Sequence, residues 1–569
     1  MTLSRKEAAG ALRAIAALLE VHGENPHRIR AFANAARVVE RIEGDLGAMI
    51  RDGSILELRG IGRRTAAVLA EMAGGGTPAV QVELEEGTPA GVRELLEVRG
   101  LGPKKVRILW RELGITGPGE LEYACLENRL VDLPGFGIKS QERTLEAVRF
   151  VLRARDRHLV DLAWATAARV VDRLVSLPGV LAVEPAGEVR RGCATVGVVD
   201  LVVAAEAPPG VDRELGRTLA GAEKPAGGGW TWRSQEGVDC RIEIVPPDRF
   251  GAALLWATGA RAHLDLLTER AQSGGLRLDA SGLWSGSERV AGTSEKEIYD
   301  RIGCAWIPPE LREGTDEIFR VQGGRLRLVE LEDLRGTFHN HTSASDGAAS
   351  VAEMAAAARE LGWSFLGIAD HSPAAHYANG LGCDRLSDQW AEIEAWNAAG
   401  AGPRVYRGLE ADILSSGDLD VPRGCEDGLE YVVASVHSSF RLTEEAQTER
   451  ILRAVRHPAC TILGHPTGAL RLARPGYAVN LERVLSACAE MGVVAEINAN
   501  PYRLDLDWRW ARRALELGVR LAINPDAHTT DGLGDVRWGL LVARKAGARP
   551  EDVVTTWSHD HLVESGILG

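Results

Sequence analysis

The fold of the C-terminal region follows from one stretch, GTFHNHTSASDG (336–347), a strand-like run that carries His339, His341 and Asp346. Six similar runs follow it, and nearly all end on a metal-binding side chain: FLGIADHS (365–372), RVYRGLE (404–410), YVVASVH (431–437), CTILGH (460–465), VVAEIN (493–498) and RLAINPDAH (520–528). Amphipathic stretches separate these runs. Such an alternation predicts a parallel β/α barrel, in which residues at the strand ends converge on one mouth.

The side chains at these strand ends form a candidate metal cluster. A single histidine in this position is usually a hydrogen-bonded structural residue, but here the pattern recurs along the whole region. Imidazole and carboxylate together bind zinc, manganese and iron. The number of ligands exceeds what one ion takes, so the pattern predicts two or three divalent ions. The predicted ligands are His339, His341, Asp346, His371, Glu410, His437, His465, Asp526 and His528.

The motifs HNHTSASDG, ADHS, GLE, SVHS, LGHP and PDAH resemble those of the PHP phosphoesterase domain across residues 337–569. The resemblance implies a distorted seven-stranded β/α barrel with a trinuclear metal site, in which Glu410 bridges ions. It also implies hydrolysis of phosphate esters, including 3′ ends of DNA. Manganese is the metal that the family implies in vivo, although a histidine-rich ligand set also suits zinc.

Three segments nearer the N-terminus share one form: LRGIGRRTAAVL (58–69), VRGLGPKKVRIL (98–109) and LPGFGIKSQERTL (133–145). Two glycines around an apolar residue predict a tight turn with positive φ. A single such turn is as readily a plain connection between helices, but three copies favour phosphate binding by N–H groups at helix starts. The segments resemble the helix-hairpin-helix motif, which grips the DNA backbone without reading bases. The predicted DNA-binding residues are Gly60, Gly62, Arg63, Arg64, Gly100, Gly102, Lys104, Lys105, Gly135, Gly137 and Lys139.

The middle of the chain resembles a polymerase core. PGVLAVEPAGEVRRGCATVGVVDLVVAA (178–205) and CRIEIVPPDRFGAALLWATGARAH (240–263) resemble the palm of family X DNA polymerases, and residues 275–313 resemble the thumb. LLEVHGENPHRIRAFANAARVV (18–39) resembles the small lyase-type domain of that family. With the PHP barrel appended, the order of parts resembles bacterial PolX. The resemblance implies catalytic roles for Asp200, Asp239 and Glu410, and nucleotide-binding roles for Gly187, Arg190, Arg191 and Gly259.

The palm departs from the family pattern. Phosphoryl transfer there needs two divalent ions, Mg or Mn, held by three carboxylates. Val198 stands at the first carboxylate position and Glu188 stands where triphosphate oxygens belong. The third position is Arg241, or Asp239 after a two-residue slip, and Glu243 shares that strand face. These changes predict a polymerase that is weak at best. The lyase Schiff-base lysine is matched by Val68, so that activity is predicted to be absent.

Composition bounds the remaining possibilities. The net charge of −14 argues against a generally adhesive nucleic-acid binder, so local features must hold DNA. The sequence has no apolar run of transmembrane length and no signal-peptide pattern, which predicts a cytoplasmic protein without membrane contact. The eight cysteines are scattered without a CxxC pair, which predicts reduced thiols and neither disulfides nor a zinc ribbon.

The sequence therefore predicts a multidomain α/β protein and a monomer that binds gapped, nicked or 3′-ended DNA. Two alternatives remain open: a fully active gap-filling polymerase that uses dNTPs, with an accessory nuclease, and a non-catalytic scaffold for DNA ends. The predicted domains are a lyase-like hairpin domain (1–78), helical fingers (79–158), the palm (159–249), the thumb (250–320), a linker (321–336) and the barrel (337–569).

Overall fold

The structure is a computed structural model that describes residues 3–42, 44–126, 130–131, 133–154, 156–225, 228–322, 326–472 and 475–569. The chain divides into two compact units, Met1–Asp156 and Arg157–Gly569, and each is described by itself. None of the helices in the described ranges is long and apolar enough to cross a bilayer.

The first unit is built from helices within the described ranges. Ser4 caps the first helix, since its hydroxyl accepts from Glu7 N–H while the Glu7 carboxylate accepts from Ser4 N–H. Gly23 ends that helix at a φ of 74°, a conformation that glycine adopts without strain. The helices are α1 (Arg5–His22), α2 (Pro26–Glu40), α3 (Leu46–Asp52), α4 (Arg63–Ala73), α5 (Ala79–Glu86), α6 (Ala90–Leu95), α7 (Pro103–Leu113), α8 (Pro118–Leu126) and α9 (Ile138–Ala154).

The second unit begins with the palm, whose four-stranded sheet has the order β2-β4-β6-β5. Its central strand VVDLVVAA is buried along almost its whole length, as expected for an apolar strand covered on both faces. The strands of the region are β1 (His158–Leu159), β2 (Val180–Pro185), β3 (Thr195–Val196), β4 (Val198–Ala205), β5 (Trp230–Arg233) and β6 (Asp239–Val245). The helices are α10 (Val160–Val175), α11 (Gly187–Arg190) and α12 (Pro208–Thr218).

The thumb follows as a small helical layer beside an antiparallel three-stranded sheet, in the order β7-β8-β9. Its core is one apolar cluster that includes Leu267, Ile298 and Tyr299. The elements are α13 (Phe250–Thr258), α14 (Arg261–Ser273), β7 (Arg277–Asp279), β8 (Gly282–Ser285), β9 (Glu288–Ala291), α15 (Glu295–Arg301) and α16 (Glu317–Val321).

The barrel region is a six-stranded parallel sheet whose strands pair in sequence order. An α-helix precedes every strand except the third, which follows a single short 3-10 turn. The strands are β10 (Phe365–Ile368), β11 (Arg404–Asp412), β12 (Tyr431–Ser435), β13 (Ile462–Leu463), β14 (Val494–Asn498) and β15 (Leu521–Asn524). The helices are α17 (Val351–Glu360), α18 (Cys383–Ala399), α19 (Glu444–Val455), α20 (Leu481–Met491), α21 (Trp508–Glu516), α22 (Val536–Ala546) and α23 (His559–Glu564).

The predicted seventh strand, in the run 336–347, is irregular and pairs through an isolated bridge between Asn340 and Ala527. The Asn524 side chain accepts from Phe338 N–H at 2.9 Å, so this backbone donor is taken out of a regular ladder. Ala369 N–H nevertheless donates to Asn340 at 2.8 Å, and His341 N–H donates to Ala527 at 2.9 Å. The run therefore lies between β10 and β15 and connects the two edges of the sheet.

The predicted linker (321–336) is partly described, since residues 323–325 lie outside the described ranges. Its later part runs along the end of α22. Val329 N–H donates to Ala548 at 3.0 Å, and the Arg544 guanidinium donates to the Val329 carbonyl at 2.9 Å. The linker is therefore held against the barrel by one backbone hydrogen bond and one hydrogen bond from a side chain.

Candidate functional site

All nine predicted metal ligands come together at the carboxyl ends of the barrel strands. Their donor atoms form four overlapping groups, and the atoms of each group lie within 4.8 Å of one another. The overlap means that His339, His341, His371 and Glu410 each belong to two groups, as expected for neighbouring ions that share a pocket. The groups are His341 with Asp346, His371 and His528; His339 with Glu410 and His465; His339 with His341 and Asp526; and His371 with Glu410 and His437.

Glu410 lies at the centre of this arrangement. Its Oε1 is 3.2 Å from His339 Nε2, 3.2 Å from His437 Nε2 and 3.1 Å from His465 Nε2. Its Oε2 is 2.8 Å from His371 Nδ1. Burial by itself opposes ionisation, but the surrounding imidazoles hold the pKa of the Glu410 carboxyl well below its usual range. The carboxylate is therefore ionised and available to bridge ions.

Two aspartates supply the other carboxylates. Asp526 Oδ1 lies 3.1 Å from His341 Nε2, and Asp346 Oδ2 lies 3.4 Å from His528 Nε2. Asp526 adopts a φ of 53° and His465 a φ of 24°, both in the left-handed region that L residues seldom occupy. Backbone conformations of this kind concentrate at functional sites, where the surrounding structure imposes them.

The donor set fits divalent metal ions. His341 Nδ1 and His465 Nδ1 are buried and make no hydrogen bond among the described residues. A buried polar atom without a hydrogen bond is costly in a protein interior unless it coordinates an ion. The mixture of imidazole nitrogens with carboxylate oxygens suits zinc or manganese.

Two further carboxylates orient the ligands, and the sequence reasoning missed both. Glu496 Oε1 accepts from His339 Nδ1 at 2.7 Å, while its Oε2 accepts from His465 N–H at 2.6 Å. Asp412 Oδ1 accepts from His437 Nδ1 at 2.6 Å. Such contacts fix the tautomer of a metal-binding histidine and raise its basicity. A signal was present, because both residues lie in runs that carry the same strand-end pattern, VVAEIN and RVYRGLEAD.

The rim of the centre is also held by polar contacts. Buried Asp370 accepts from Thr342 N–H at 2.8 Å and from Thr342 Oγ1 at 2.7 Å, which fixes the loop that carries His341 and Asp346. Asp526 Oδ2 lies 3.3 Å from Arg503 Nε, so one cation borders the centre from the loop after β14.

The prediction that the cysteines are all reduced is wrong for one pair. Cys383 and Cys425 form a disulfide, with their Cα atoms 5.8 Å apart. Cys383 begins α18, and Leu381 just before it donates its N–H to the carbonyl of the ligand His371 at 2.8 Å. Cys425 follows the loop that leaves Asp412. Their spacing of 42 residues gave no local sequence signal, because only the fold brings the two loops together.

The palm centre differs from the barrel centre. In the parallel pair of β4 and β6, Asp200 lies beside Arg241 and Val198 beside Asp239. Arg241 Nε contacts Asp200 Oδ1 at 2.6 Å. Burial raises the pKa of the Asp200 carboxyl, and the Arg241 guanidinium opposes that rise. Asp239 is mostly exposed and lies 3.5 Å from Arg233 Nη1.

Glu188 occupies the predicted triphosphate turn and is held there. Its carboxylate accepts from Gly197 N–H at 2.8 Å and from Arg157 Nη2 at 2.9 Å. Gly187 has a φ of 60°, and a Cβ at this position would lie 2.2 Å from Asp200 Oδ2. The turn therefore requires glycine, as the family pattern implies, although it is occupied by a negative side chain.

Both arginines predicted to bind nucleotide are engaged in ion pairs. Arg190 contacts Glu295 through two hydrogen bonds of 2.6 and 3.0 Å, and fully buried Arg312 contacts the same carboxylate. Arg191 Nε lies 3.0 Å from Glu313 Oε1, which also pairs with Lys545 of α22. The fourth predicted residue, Gly259, ends α13 with a φ of −62°.

The three hairpin turns present exposed backbone at helix starts. Positive φ occurs at the first glycine of each pair, with values of 108° at Gly60, 86° at Gly100 and 82° at Gly135. The second glycine has an ordinary φ of −103° at Gly62 and −78° at Gly102, so the predicted positive φ falls on the first glycine of each turn. The second glycines instead precede α4, α7 and α9, where free N–H groups lie.

The basic residues of the hairpins are placed near these helix starts. Arg63, Arg64, Lys104 and Lys139 are exposed. Lys105 is half-buried, because its Nζ contacts Ser140 Oγ at 3.2 Å and lies 4.7 Å from the centre of the Phe136 ring. The second and third hairpins therefore lie side by side. Val68, at the predicted lyase position, is buried in the apolar core of the first hairpin domain.

Family models match four parts of the chain. The matches are a helix-hairpin-helix domain at residues 4–78, a SAM-like helix-hairpin-helix tandem at 92–149, a DNA polymerase beta thumb at 253–313 and a PHP domain at 337–500. Strand β15, with the ligands after it, continues the same parallel sheet beyond the last match.

Among relatives, the DNA polymerase/3′-5′ exonuclease PolX of Bacillus subtilis (strain 168) is 32% identical over 564 residues, which cover 98% of both chains. A probable phosphatase of Thermoanaerobacter sp. (strain X514) is 29% identical over 229 residues, covering 38% of this chain and 89% of the relative. A probable phosphatase of Photobacterium profundum is 29% identical over 241 residues, covering 39% and 90%. Since the first match runs almost from end to end in both chains, this chain belongs to the bacterial PolX family of enzymes, in which a family X DNA polymerase core is fused to a PHP domain.

Proposed function

We propose that the chain is a DNA repair enzyme that removes nucleotides from 3′ ends at the barrel centre and incorporates nucleotides weakly or not at all at the palm centre. The observation that carries the proposal is the convergence of nine ligand side chains around Glu410, with buried donor atoms that make no hydrogen bond within the described part of the chain. The Bacillus subtilis relative is named as both a polymerase and a 3′-5′ exonuclease, which supports the same class of substrate.

The residues of the barrel prepare the centre for hydrolysis. Divalent ions, when bound, supply Lewis-acid chemistry that activates water near neutral pH and polarises a phosphodiester. Glu496 and Asp412 accept the Nδ1 protons of His339 and His437, which leaves each Nε2 as a lone-pair donor towards the pocket. Glu410 and the imidazoles around it would hold the ions, and its carboxylate would add negative charge to the ligand set.

The residues of the palm are poorly suited to phosphoryl transfer with two metal ions. Two-ion phosphoryl transfer requires carboxylates whose charge is free to bind cations. Here the Asp200 charge is compensated by Arg241, and Val198 offers no ligand atom. Glu188 adds a negative charge in the turn that the family uses for triphosphate. We therefore propose a palm that holds DNA more effectively than it extends it.

The hairpins are proposed to hold the DNA backbone. Their exposed N–H groups at the starts of α4, α7 and α9 suit phosphate oxygens, and neighbouring basic side chains add charge. The overall charge of −14 disfavours general attraction of DNA, so local sites of this kind are proposed to provide the contacts.

The test is one 5′-labelled gapped duplex, incubated with manganese with and without dNTPs. Wild type is expected to shorten the labelled strand and to extend it little. The double variant His339→Ala with His341→Ala is expected to lose shortening and to keep its DNA affinity, because the hairpins lie in another unit. His457→Ala, an exposed histidine away from the centre, is the matched control. Shortening at the wild-type rate by the double variant would place the activity elsewhere.

A further inference from the structure

Tyr502 is an exposed aromatic side chain at the mouth of the barrel. Four large apolar side chains are exposed in the described part of the barrel: Leu361, Met491, Tyr502 and Val563. Leu361 and Met491 lie at the ends of α17 and α20, a few residues before β10 and β14. They are therefore at the end of the barrel opposite the metal centre. Val563 lies on the C-terminal helix, so Tyr502 is the one of these four that follows the carboxyl end of a strand, β14.

The exposure of Tyr502 is not the result of a loose loop. Its N–H donates to Asn500 Oδ1 at 3.0 Å, and its carbonyl accepts from Arg471 N–H at 2.6 Å. The Arg471 guanidinium then donates to the carbonyls of Arg503 at 2.9 Å and Leu504 at 2.6 Å. Backbone hydrogen bonds thus hold the loop, while 58% of the Tyr502 surface remains open to solvent.

The same loop borders the metal centre. Arg503, the next residue, lies 3.3 Å through Nε from the Oδ2 of Asp526. At its base, Asn498 pairs with Asp505, and the Asn498 amide donates to Asp526 Oδ2 at 3.1 Å. Tyr502 is thus one residue from a side chain that contacts a predicted ligand. A nucleotide whose scissile phosphodiester lay at the centre would have its base near the mouth, where this loop could contact it.

We propose that Tyr502 is a specificity-determining residue of the barrel, and that its ring stacks on the base of the 3′-terminal nucleotide that is removed. The inference rests on the proposed nuclease function and defines its substrate class as nucleic-acid ends rather than simple phosphate esters. Every base has a π face, so stacking of this kind selects for a base without selecting which one.

The test compares Tyr502→Ala, Tyr502→Phe and Tyr502→Trp with wild type on two single-stranded oligonucleotides. One ends in an ordinary 3′ nucleotide, and the other ends in a 3′ tetrahydrofuran residue that lacks a base. Tyr502→Ala is expected to raise KM for the ordinary end about ten-fold, with kcat nearly unchanged, since stacking on one base is of that order. The phenylalanine and tryptophan variants are expected to retain the wild-type KM.

For the baseless end, and for the small diester bis-p-nitrophenyl phosphate, Tyr502→Ala and wild type are expected to behave alike. Met491→Ala, at an apolar residue that is 49% exposed at the opposite end of the barrel, is the matched control and should change none of these values. Equal loss on all substrates would assign Tyr502 a structural role, and an unchanged KM on the ordinary end would refute stacking.

A second measurement separates this inference from the nuclease proposal. A 3′-terminal 2-aminopurine loses fluorescence when its base stacks, and the change is read in the first milliseconds after mixing, before cleavage. Wild type is expected to quench this signal and Tyr502→Ala is not. Absence of hydrolysis by wild type with the quench present would refute the nuclease proposal alone. Equal quenching by both proteins would refute the role of Tyr502.

Discussion

The barrel and the palm each place a buried carboxylate on a parallel strand near its functional end, yet the two carboxylates have different partners. Glu410 is surrounded by imidazoles, and buried donor atoms around it make no hydrogen bond among the described residues. Asp200 is in contact with the guanidinium of Arg241. An acidic residue on such a strand is therefore not sufficient for a metal site. The decisive property is whether the chain has already compensated its charge.

The first prediction, which has the largest effect, concerns the metal content of the barrel. Glu410→Gln removes the central charge and a bridging ligand, so we expect metal content to fall from two or three ions per chain to less than one. Asp200→Asn, the matched palm change, should leave metal content unaltered because Arg241 already compensates that carboxylate. Elemental analysis after metal loading and desalting measures both. A loss of ions from the palm variant as well would contradict the contrast.

The second prediction concerns the palm, where metal-binding carboxylates are restored. Val198→Asp, Glu188→Ser and Arg241→Asp together restore carboxylates at two positions and a hydroxyl at the turn. We expect single-nucleotide gap filling in manganese to rise at least roughly ten-fold over the unrepaired palm, since each factor of ten needs only about 1.4 kcal/mol of transition-state stabilisation. His339→Ala with His341→Ala is included in both proteins so that shortening does not hide extension. Equally fast gap filling by the unrepaired palm would show that its own carboxylates suffice.

A third change sharpens the account of the barrel without removing a predicted ligand. Glu496→Ala leaves His339 Nδ1 without its acceptor, and we expect metal affinity to fall about 10–100-fold. Glu496→Gln retains an acceptor oxygen, so the metal affinity of this variant should fall less. Glu243→Ala, a strand carboxylate of the palm, is the control. Zinc titration against a competing chelator gives the affinities, and identical values for Glu496→Ala and wild type would refute a positioning role.

The smallest effect concerns the proposed DNA binding by the hairpins. Gly100 has a φ of 86°, and a Cβ there meets no described atom within 4 Å, so Gly100→Val acts through backbone strain rather than a clash. Strain of this kind costs about 1–3 kcal/mol. We expect duplex affinity to fall up to roughly ten-fold, equally for unrelated sequences. Gly114→Val, at a φ of 66° and with open space at the opposite end of α7, is the matched control, and fluorescence anisotropy compares the two. A loss confined to one sequence would contradict backbone recognition.

The sequence pattern indicated where the candidate ligands of the barrel lie, but it did not indicate the side-chain contacts of the palm. The ligands of the barrel lie in or just after successive apolar runs, so a local pattern that recurs along the region indicated one shared site. The irregular pairing of the run 336–347 has a local cause that was not visible in that pattern. The Asn524 side chain takes the Phe338 N–H, and Asn524 is 186 residues away along the chain.

The sequence did not indicate which charged residues form ion pairs with one another. Arg190 and Arg191 matched a nucleotide-binding turn, but the carboxylates that contact them, Glu295 and Glu313, lie 105 and 122 residues further on. The disulfide of Cys383 with Cys425 has the same character, since two scattered cysteines carry no pairing signal. Side-chain partners over such separations depend on packing and not on local composition.

The order of the modules, the nine candidate ligands and the valine at the first carboxylate position, Val198, were all readable from the chain alone, because each follows from residue type and short-range spacing. Which charged side chains remain available to bind metal ions depends on the tertiary structure. It placed Arg241 against Asp200, Glu496 and Asp412 against the histidines of the barrel, and Tyr502 at the rim of the mouth. The physical reason is that charge compensation and exposure depend on atoms a few ångströms apart in space, whose separation along the chain carries no signal.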